Sequence, residues 1–168
     1  VIGDDYPESF RFIAPSLRHA DTVLDIGPGI RTQPFLTPEL HLCVEPHEEY
    51  VRVLRERGFL VIHDTAQSAL RFSGSVDTIF LLDVIEHLER ADGERVLALA
   101  ADRAREIVLY TPTGFKPQFY AQGEKDAWGM NGTAWQTHRS GWTPADFPGW
   151  RIVEDAPRGA FFAVWTRP

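Results

Sequence analysis

The chain has 168 residues, 43% of them apolar and 24% charged, with 17 basic against 24 acidic residues and a formal charge of -7. That length supports one well-buried core and not two ordinary domains, and the composition is that of a globular chain rather than a disordered one. The acidic balance repels a phosphate backbone, and no apolar run approaches the ~20 residues of a membrane span, so nucleic acid and membrane are not expected as partners. The basic residues form only short clusters, such as Arg52, Arg55 and Arg57. Cys43, the one cysteine, sits in the apolar run LHLCVE and reads as a buried, inert thiol. The first residues lack the basic-then-apolar layout of a signal peptide, so a cytoplasmic location is expected.

Short β-branched runs alternate with helical patterns, the grammar of strand-helix-strand units around a mostly parallel sheet. TVLDIG (22–27) reads as the first strand and LHLCVE (40–45) as the second. A helix follows, with Pro46 at its first position, Glu48 and Glu49 at the positive end of its dipole, Arg55 and Arg57 at the negative end, and Gly58 ending it. FLVIHD (59–64) and VDTIFLLD (76–83) supply the third and fourth strands. A helix over roughly 88–104 carries an inner stripe of Val96, Leu97, Ala100, Ala101 and Ala104, and EIVLYT (106–111) makes the fifth strand. From Pro112 to about Gly149 the chain is rich in Gly, Pro and aromatic residues without a sustained period, as expected of a lid or binding loop. Within it, Thr143, Pro144 and Asp146 carry the signals of a helix start. WRIVED and GAFFAVWT, joined by the turn-like APRG, then have to pair antiparallel, because a parallel pair needs a longer crossover.

The chemistry concentrates at the ends of these strands. Gly27 and Gly29 flank Pro28 where the first strand ends, which lets the backbone approach a ligand closely. The third glycine of the dinucleotide fingerprint is replaced by Thr32, and Pro34 and Pro38 oppose a long helix there, so a pyrophosphate cradle is poor. Glu45 ends the second strand, where a carboxylate accepts hydrogen bonds from both ribose hydroxyls of an adenosine. Asp64 ends the third strand and Asp83 the fourth, so the rim is acidic: it disfavours a pyrophosphate and tolerates a sulfonium cofactor with net positive charge.

VLDIGPG, CVEPH, HDTA and above all LLDVIEHL, each at the end of a successive strand, resemble the class I, seven-stranded S-adenosylmethionine-dependent methyltransferases. The late HRSGWTPADF is similar to a segment in some bacterial members, and the likeness runs from about residue 20 through the closing hairpin. The resemblance implies a single Rossmann-like α/β domain over 1–168, a seven-stranded mostly parallel sheet with a C-terminal antiparallel hairpin, and helices on both faces. Residues 1–19 would form an N-terminal cap helix and 112–149 a substrate-covering insertion. It further implies that Asp25, Gly27 and Gly29 form the loop around the methionine part of S-adenosylmethionine, that Glu45 holds the ribose, that Asp64 and Thr65 contact the adenine, and that Asp83 begins the segment beside the transferred methyl. Where the family loop often has another glycine this chain has Ile30 and Arg31; Arg31 either pairs with the cofactor carboxylate or stays solvated.

Methyl transfer to a hydroxyl or amine is largely in-line positioning, with proton removal where the acceptor is a hydroxyl. His87 is the favoured general base, with Glu86 beside it, and His138 and Arg139 are placed to touch an acceptor. Trp128, Trp135 and Trp142 are candidate lid residues, and Tyr6, Phe10 and Phe12 candidates for closing over the cofactor; packing of an extra layer is the alternative for all of them. His63, Asp64, Asp83 and His87 show no tight ligand spacing, so no metal is expected. The mixed polar and aromatic loop, with Asn131, Gln136, His138 and Arg139, suits a polar small molecule of sugar or natural-product type. Two other classes stay open: a non-catalytic cofactor-binding relative, and a nicotinamide-dependent oxidoreductase, which would need the full glycine fingerprint.

Overall fold

The computed structural model describes residues 9–72 and 74–168; the expected contribution of Tyr6 and the first half of the cap helix lie outside them. Seven strands form one sheet: β1 (Thr22–Ile26), β2 (Leu40–Val44), β3 (Leu60–Ile62), β4 (Val76–Leu82), β5 (Ala104–Pro112), β6 (Arg151–Asp155) and β7 (Ala160–Thr166). Their order is β3-β2-β1-β4-β5-β7-β6, with β1 to β5 parallel and β7 antiparallel to both β5 and β6. The closing hairpin is therefore the one its short connection requires.

Alternation along the strands decides the two cores. Leu24, Ile26, Ile79, Leu81, Ile107, Leu109, Phe161 and Ala163 point to one face. Their chain neighbours Val23, Phe80, Val108, Tyr110, Phe162 and Val164 point to the other. Helices α3 (Ala66–Phe72) and α4 (Arg90–Arg103), which pack on each other, cover the first face. α1 (Ser9–Ile13), continued by a 3-10 turn at Ala14–Ser16, covers the second together with Phe35 and Leu36.

Four local expectations change. α2 (Glu48–Glu56) starts two residues after Pro46, because His47 is extended at its N-cap and its N–H is held by the Glu45 carboxylate at 2.9 Å. α3 was not expected; Thr65 caps it, its hydroxyl accepting the Ser68 N–H at 3.3 Å, and the segment is too short to show a helical period. α4 has its stripe at Val96 and Ala100 as read, but Ala104 already belongs to β5. The start signals at Thr143, read as opening a short helix, produce a full capping box with Asp146 on a single 3-10 turn.

The prolines after the glycine turn act as the sequence suggests: residues 27–39 connect β1 to β2 with no helix. Between residues 113 and 150 the only helical turns are α5 (Thr133–Gln136) and the one at Pro144–Asp146. Cys43 is fully buried, and burial pushes its thiol well above the ordinary range.

Candidate functional site

β2 and β4 lie on opposite sides of β1, so the chain changes direction there and leaves a crevice beyond the carboxyl ends of β1 and β4, the usual ligand position in open α/β sheets. Two cavities, of about 400 and 390 Å³, occupy it. Both are lined by Gly27, Asp83, His87 and Gln136.

The first cavity is framed by Gly29, Glu45, Pro46, Thr65 and Gln67, with Trp135 and Arg139 from the long insertion. Gly27 and Gly29 both adopt positive φ, +63° and +60°, which glycine alone enters freely. A side chain at Gly27 would start 3.1 Å from Val84, and one at Gly29 would overlap the indole of Trp128. Glu45 is 3% exposed; its two oxygens accept the N–H groups of Gly29 at 3.0 Å and His47 at 2.9 Å. Burial pushes its carboxyl up to about 7, against the pull of those two donors. Each oxygen keeps a lone pair for a further donor from the cavity.

Two of the acidic residues are placed elsewhere. Asp25 is buried beneath the glycine turn, where its carboxylate accepts the Gln33 N–H at 2.6 Å and faces His41 Nε2 at 3.3 Å; it lines neither cavity. Its role is to tie the returning loop and β2 to β1. Asp64 accepts the Thr65 N–H at 2.7 Å at the start of α3 and lines neither cavity, whereas Thr65 lines the first.

The second cavity lies on the other side of Asp83, between Phe10, Arg31, Tyr110, Trp128 and Arg158, with Glu86 and His138 in its wall. Asp83 is the one non-glycine residue with positive φ among the described residues, at +54°. That strain sits at the shared wall of the two cavities, where it turns the carboxylate out of β4. Asp83 is reached by water through the cavities although protein surrounds it, and burial raises its carboxyl while Glu86 and Arg158 pull it down. Glu86 is 2% exposed, and burial and then the charge of Asp83 raise it well above the ordinary carboxyl range. Glu86 Oε2 accepts the Thr111 hydroxyl at 3.1 Å.

The segment HRSGW returns onto IEH of the fourth strand's end. The N–H groups of Arg139 and Ser140 donate to the Glu86 carbonyl at 2.7 and 3.1 Å, and Ser140 Oγ and Trp142 Nε1 donate to the Ile85 carbonyl at 3.0 and 3.3 Å. This clamp brings His138 edge to face with His87, ring centroids 4.9 Å apart. Each ring has Nδ1 against a backbone carbonyl, His87 on Thr137 at 3.3 Å and His138 on Lys116 at 2.6 Å. A carbonyl only accepts, so the proton of each neutral ring is on Nδ1 and the lone pair is at Nε2. Burial drives the His87 imidazolium down to about 4 and also lowers His138.

The aromatic candidates divide. Phe10 lines the second cavity and packs on Tyr110 and Phe162, while Phe12 is 70% exposed and lines neither cavity. Trp142 is no lid: it is 1% exposed, inside the core against Gly93 of α4, with the Arg90 guanidinium 3.8 Å over its ring. Trp128 and Trp135 do lie at the cavities. Asp126, not singled out from the sequence, anchors the Trp128 loop by accepting the N–H groups of Trp128, Met130 and Gly132 and the Tyr50 hydroxyl. Asn131 fastens the same loop to Glu49 of α2. Asp126 carried no sequence signal, because its remote partner, Tyr50 of α2, meets it only in the folded chain.

No protein-family model matches the chain, and no curated protein sequence matches it. Solved structures do. The N-terminal domain of EvdMO1, crystallised in the presence of S-adenosylhomocysteine (SAH) and D-fucose, superposes with a TM-score of 0.67 over 99% of this chain and 85% of its own, at 14% identity. Magnesium protoporphyrin IX methyltransferase from Synechocystis PCC 6803, with bound S-adenosylmethionine, gives 0.60 over 95% of this chain and 76% of its own, at 14% identity. The methyltransferase domain of a bacterial Hen1 gives 0.61 over 94% of this chain and 97% of its own, at 16% identity. The fold of the chain is that of the class I S-adenosylmethionine-dependent methyltransferases, with the sheet order and terminal hairpin expected of it.

Proposed function

We propose that the chain is an S-adenosylmethionine-dependent methyltransferase acting on a polar small molecule, of sugar or natural-product type, at an oxygen or nitrogen. The observation that carries this reading is the pair of cavities meeting at Gly27, Asp83 and His87, with a buried carboxylate, Glu45, facing only the first. The residues fit the cofactor: a glycine turn free of side chains, a carboxylate with spare lone pairs for ribose hydroxyls, and Thr65 to Gln67 along the wall where an adenine would lie. A nicotinamide dinucleotide fits less well, since no helix follows the turn to receive its pyrophosphate.

When bound, the cofactor supplies an electrophilic methyl group. The chain then has to orient the acceptor and exclude water. Arg31, Arg158, Asp83 and Gln118 give the second cavity a polar wall suited to an acceptor with several hydrogen-bonding groups, and D-fucose beside EvdMO1 is a neighbour's example of such a compound. The Nε2 lone pairs of His87 and His138 supply proton acceptors at that wall. A ring that titrates near 4 is neutral at pH 7 and a weak base, so positioning outweighs proton abstraction.

Calorimetric binding of SAH and NADH to the wild type and to Glu45→Ala tests the reading. SAH alone should bind, and the substitution should weaken it; acceptor screening on sugars and hydroxylated intermediates follows. Binding of neither ligand would move the chain to the non-catalytic reading, and transfer only to protein or RNA would overturn the substrate class.

A further inference from the structure

We propose that Glu86, His87 and His138, with Asp83 beside them, form a site for one first-row divalent cation of the Mn²⁺, Fe²⁺, Co²⁺ or Zn²⁺ type, open to the second cavity. One ring nitrogen from each histidine and one Glu86 carboxylate oxygen all lie within 4.8 Å of one another. Ligands around such an ion sit at roughly 2.0 to 2.2 Å from it, so opposite ligands are roughly 4 Å apart and small side-chain rotations close the set. Two imidazoles and a carboxylate are the donors that suit these metals; Mg²⁺ and Ca²⁺ prefer oxygen alone.

Three further observations point to a cation rather than to a chance meeting. Metal-bound histidines almost always donate their other ring N–H to a carbonyl or carboxylate, and both rings here already have Nδ1 on backbone carbonyls, those of Thr137 and Lys116. The ligand-bearing segments are held in register by the four hydrogen bonds between residues 139–142 and the carbonyls of Ile85 and Glu86, so the rings are presented on a fixed frame. Asp83 and Glu86 are adjacent acids, and among the described residues Glu86 has no Lys or Arg ion pair. A second cluster, Asp25, His41 and Cys43, lines neither cavity.

All four residues line the second cavity, so the ion's remaining positions face the space assigned to the acceptor. A hydroxyl or adjacent pair of hydroxyls on the acceptor is the ligand such a position takes, and a bound cation would lower the pKa of that oxygen ligand. That role rests on the methyltransferase reading; binding of the ion does not.

The test uses the whole chain, stripped with a chelator and titrated with Mn²⁺, following loss of the free-ion electron paramagnetic resonance signal. One ion per chain is expected, at least tenfold weaker in His138→Gln and in Glu86→Gln, with circular dichroism confirming the fold of each variant. Co²⁺ added to the wild type alone should give the visible bands of an ion with nitrogen ligands, a readout that needs no variant. No stoichiometric Mn²⁺ binding and no Co²⁺ bands, or equal affinity in well-folded variants, would overturn the proposal. SAH calorimetry on the same apo protein separates the two claims: SAH binding without metal binding removes only the ion, and metal binding without SAH binding removes only the cofactor.

Discussion

The indole of Trp128 occupies the space in which a side chain on Gly29 would begin, so the insertion closes directly on the glycine turn. Gly29→Ala therefore meets two costs, the indole and a left-handed backbone worth about 1–2 kcal/mol for a residue with a Cβ. Chemical denaturation should show a larger loss in the wild-type background than in Trp128→Ala, where only the backbone cost remains. Equal losses in the two backgrounds would mean that the loop does not rest on the turn.

Glu45 links cofactor affinity to pH. Burial pushes its carboxyl up to about 7 when the cavity is free, and ribose hydroxyls donate more strongly to the ionised form, which offers both oxygens as charged acceptors. SAH affinity should fall as pH drops below 7, by up to about tenfold per unit, and be level above it. Stability of the free protein moves the opposite way: a carboxyl raised from 4.5 to about 7 contributes stability that is complete below 4.5 and is lost as pH rises through 7. Asp25, Asp83 and Glu86, all raised by burial, act in the same sense. His87 and His138, lowered by burial, act against them as pH falls through 6.5, so the Glu45 part is read as the difference between wild type and Glu45→Gln in thermal melts at pH 5 and pH 8, which should run opposite to the SAH affinity.

Gly93 lets α4 approach the core, since an added Cβ would lie 2.6 Å from Trp142 Cζ2. Gly93→Ala gains up to about 1 kcal/mol in helix propensity but overpacks the core, which costs about 1–3 kcal/mol. A net loss of stability is expected in urea titration. Because Trp142 also donates to the Ile85 carbonyl, the His87 and His138 resonances should shift as well.

Asp126 is the anchor of the Trp128 loop. Burial alone would raise its carboxyl, but the hydrogen bonds from Tyr50, Met130, Gly132 and Trp128 outweigh this and hold it below the ordinary value. Asp126→Ala should speed amide exchange over residues 126–132 and shift tryptophan emission to the red, with the sheet amides unchanged. Tyr50→Phe removes one donor of the four and should do less. Since the folded value is depressed, the anchor is intact above the ordinary carboxyl pKa of 3.8 and loosens as pH falls below it.

Much of the fold was legible because strands announce themselves locally. Val23, Leu24 and Ile26 are apolar on both faces, and a strand buried on both sides reads as a short continuous apolar run between turn signals. The short APRG link between β6 and β7 left only one pairing direction. The prolines at 34 and 38 likewise showed that no helix would follow the glycine turn. α3 was missed because its seven residues hold fewer than two full turns of helix. Trp142 stayed open between lid and packing, since a tryptophan in a Gly-rich stretch looks the same whether it covers a cavity or plugs the space left by Gly93.

The sequence by itself determined the parallel sheet, the glycine turn, the strand-end Glu45 and Asp83, and the closing hairpin, because each depends on residues close together in the chain. Only the tertiary structure decided that Asp25 and Asp64 accept backbone N–H groups and line neither cavity, that Glu86 lies buried beside the second cavity, and that His138 meets His87. Those relationships depend on where a long loop lands. Its position is selected by hydrogen bonds to carbonyls at Ile85 and Glu86 that every residue type possesses, and so no side-chain pattern records them in advance.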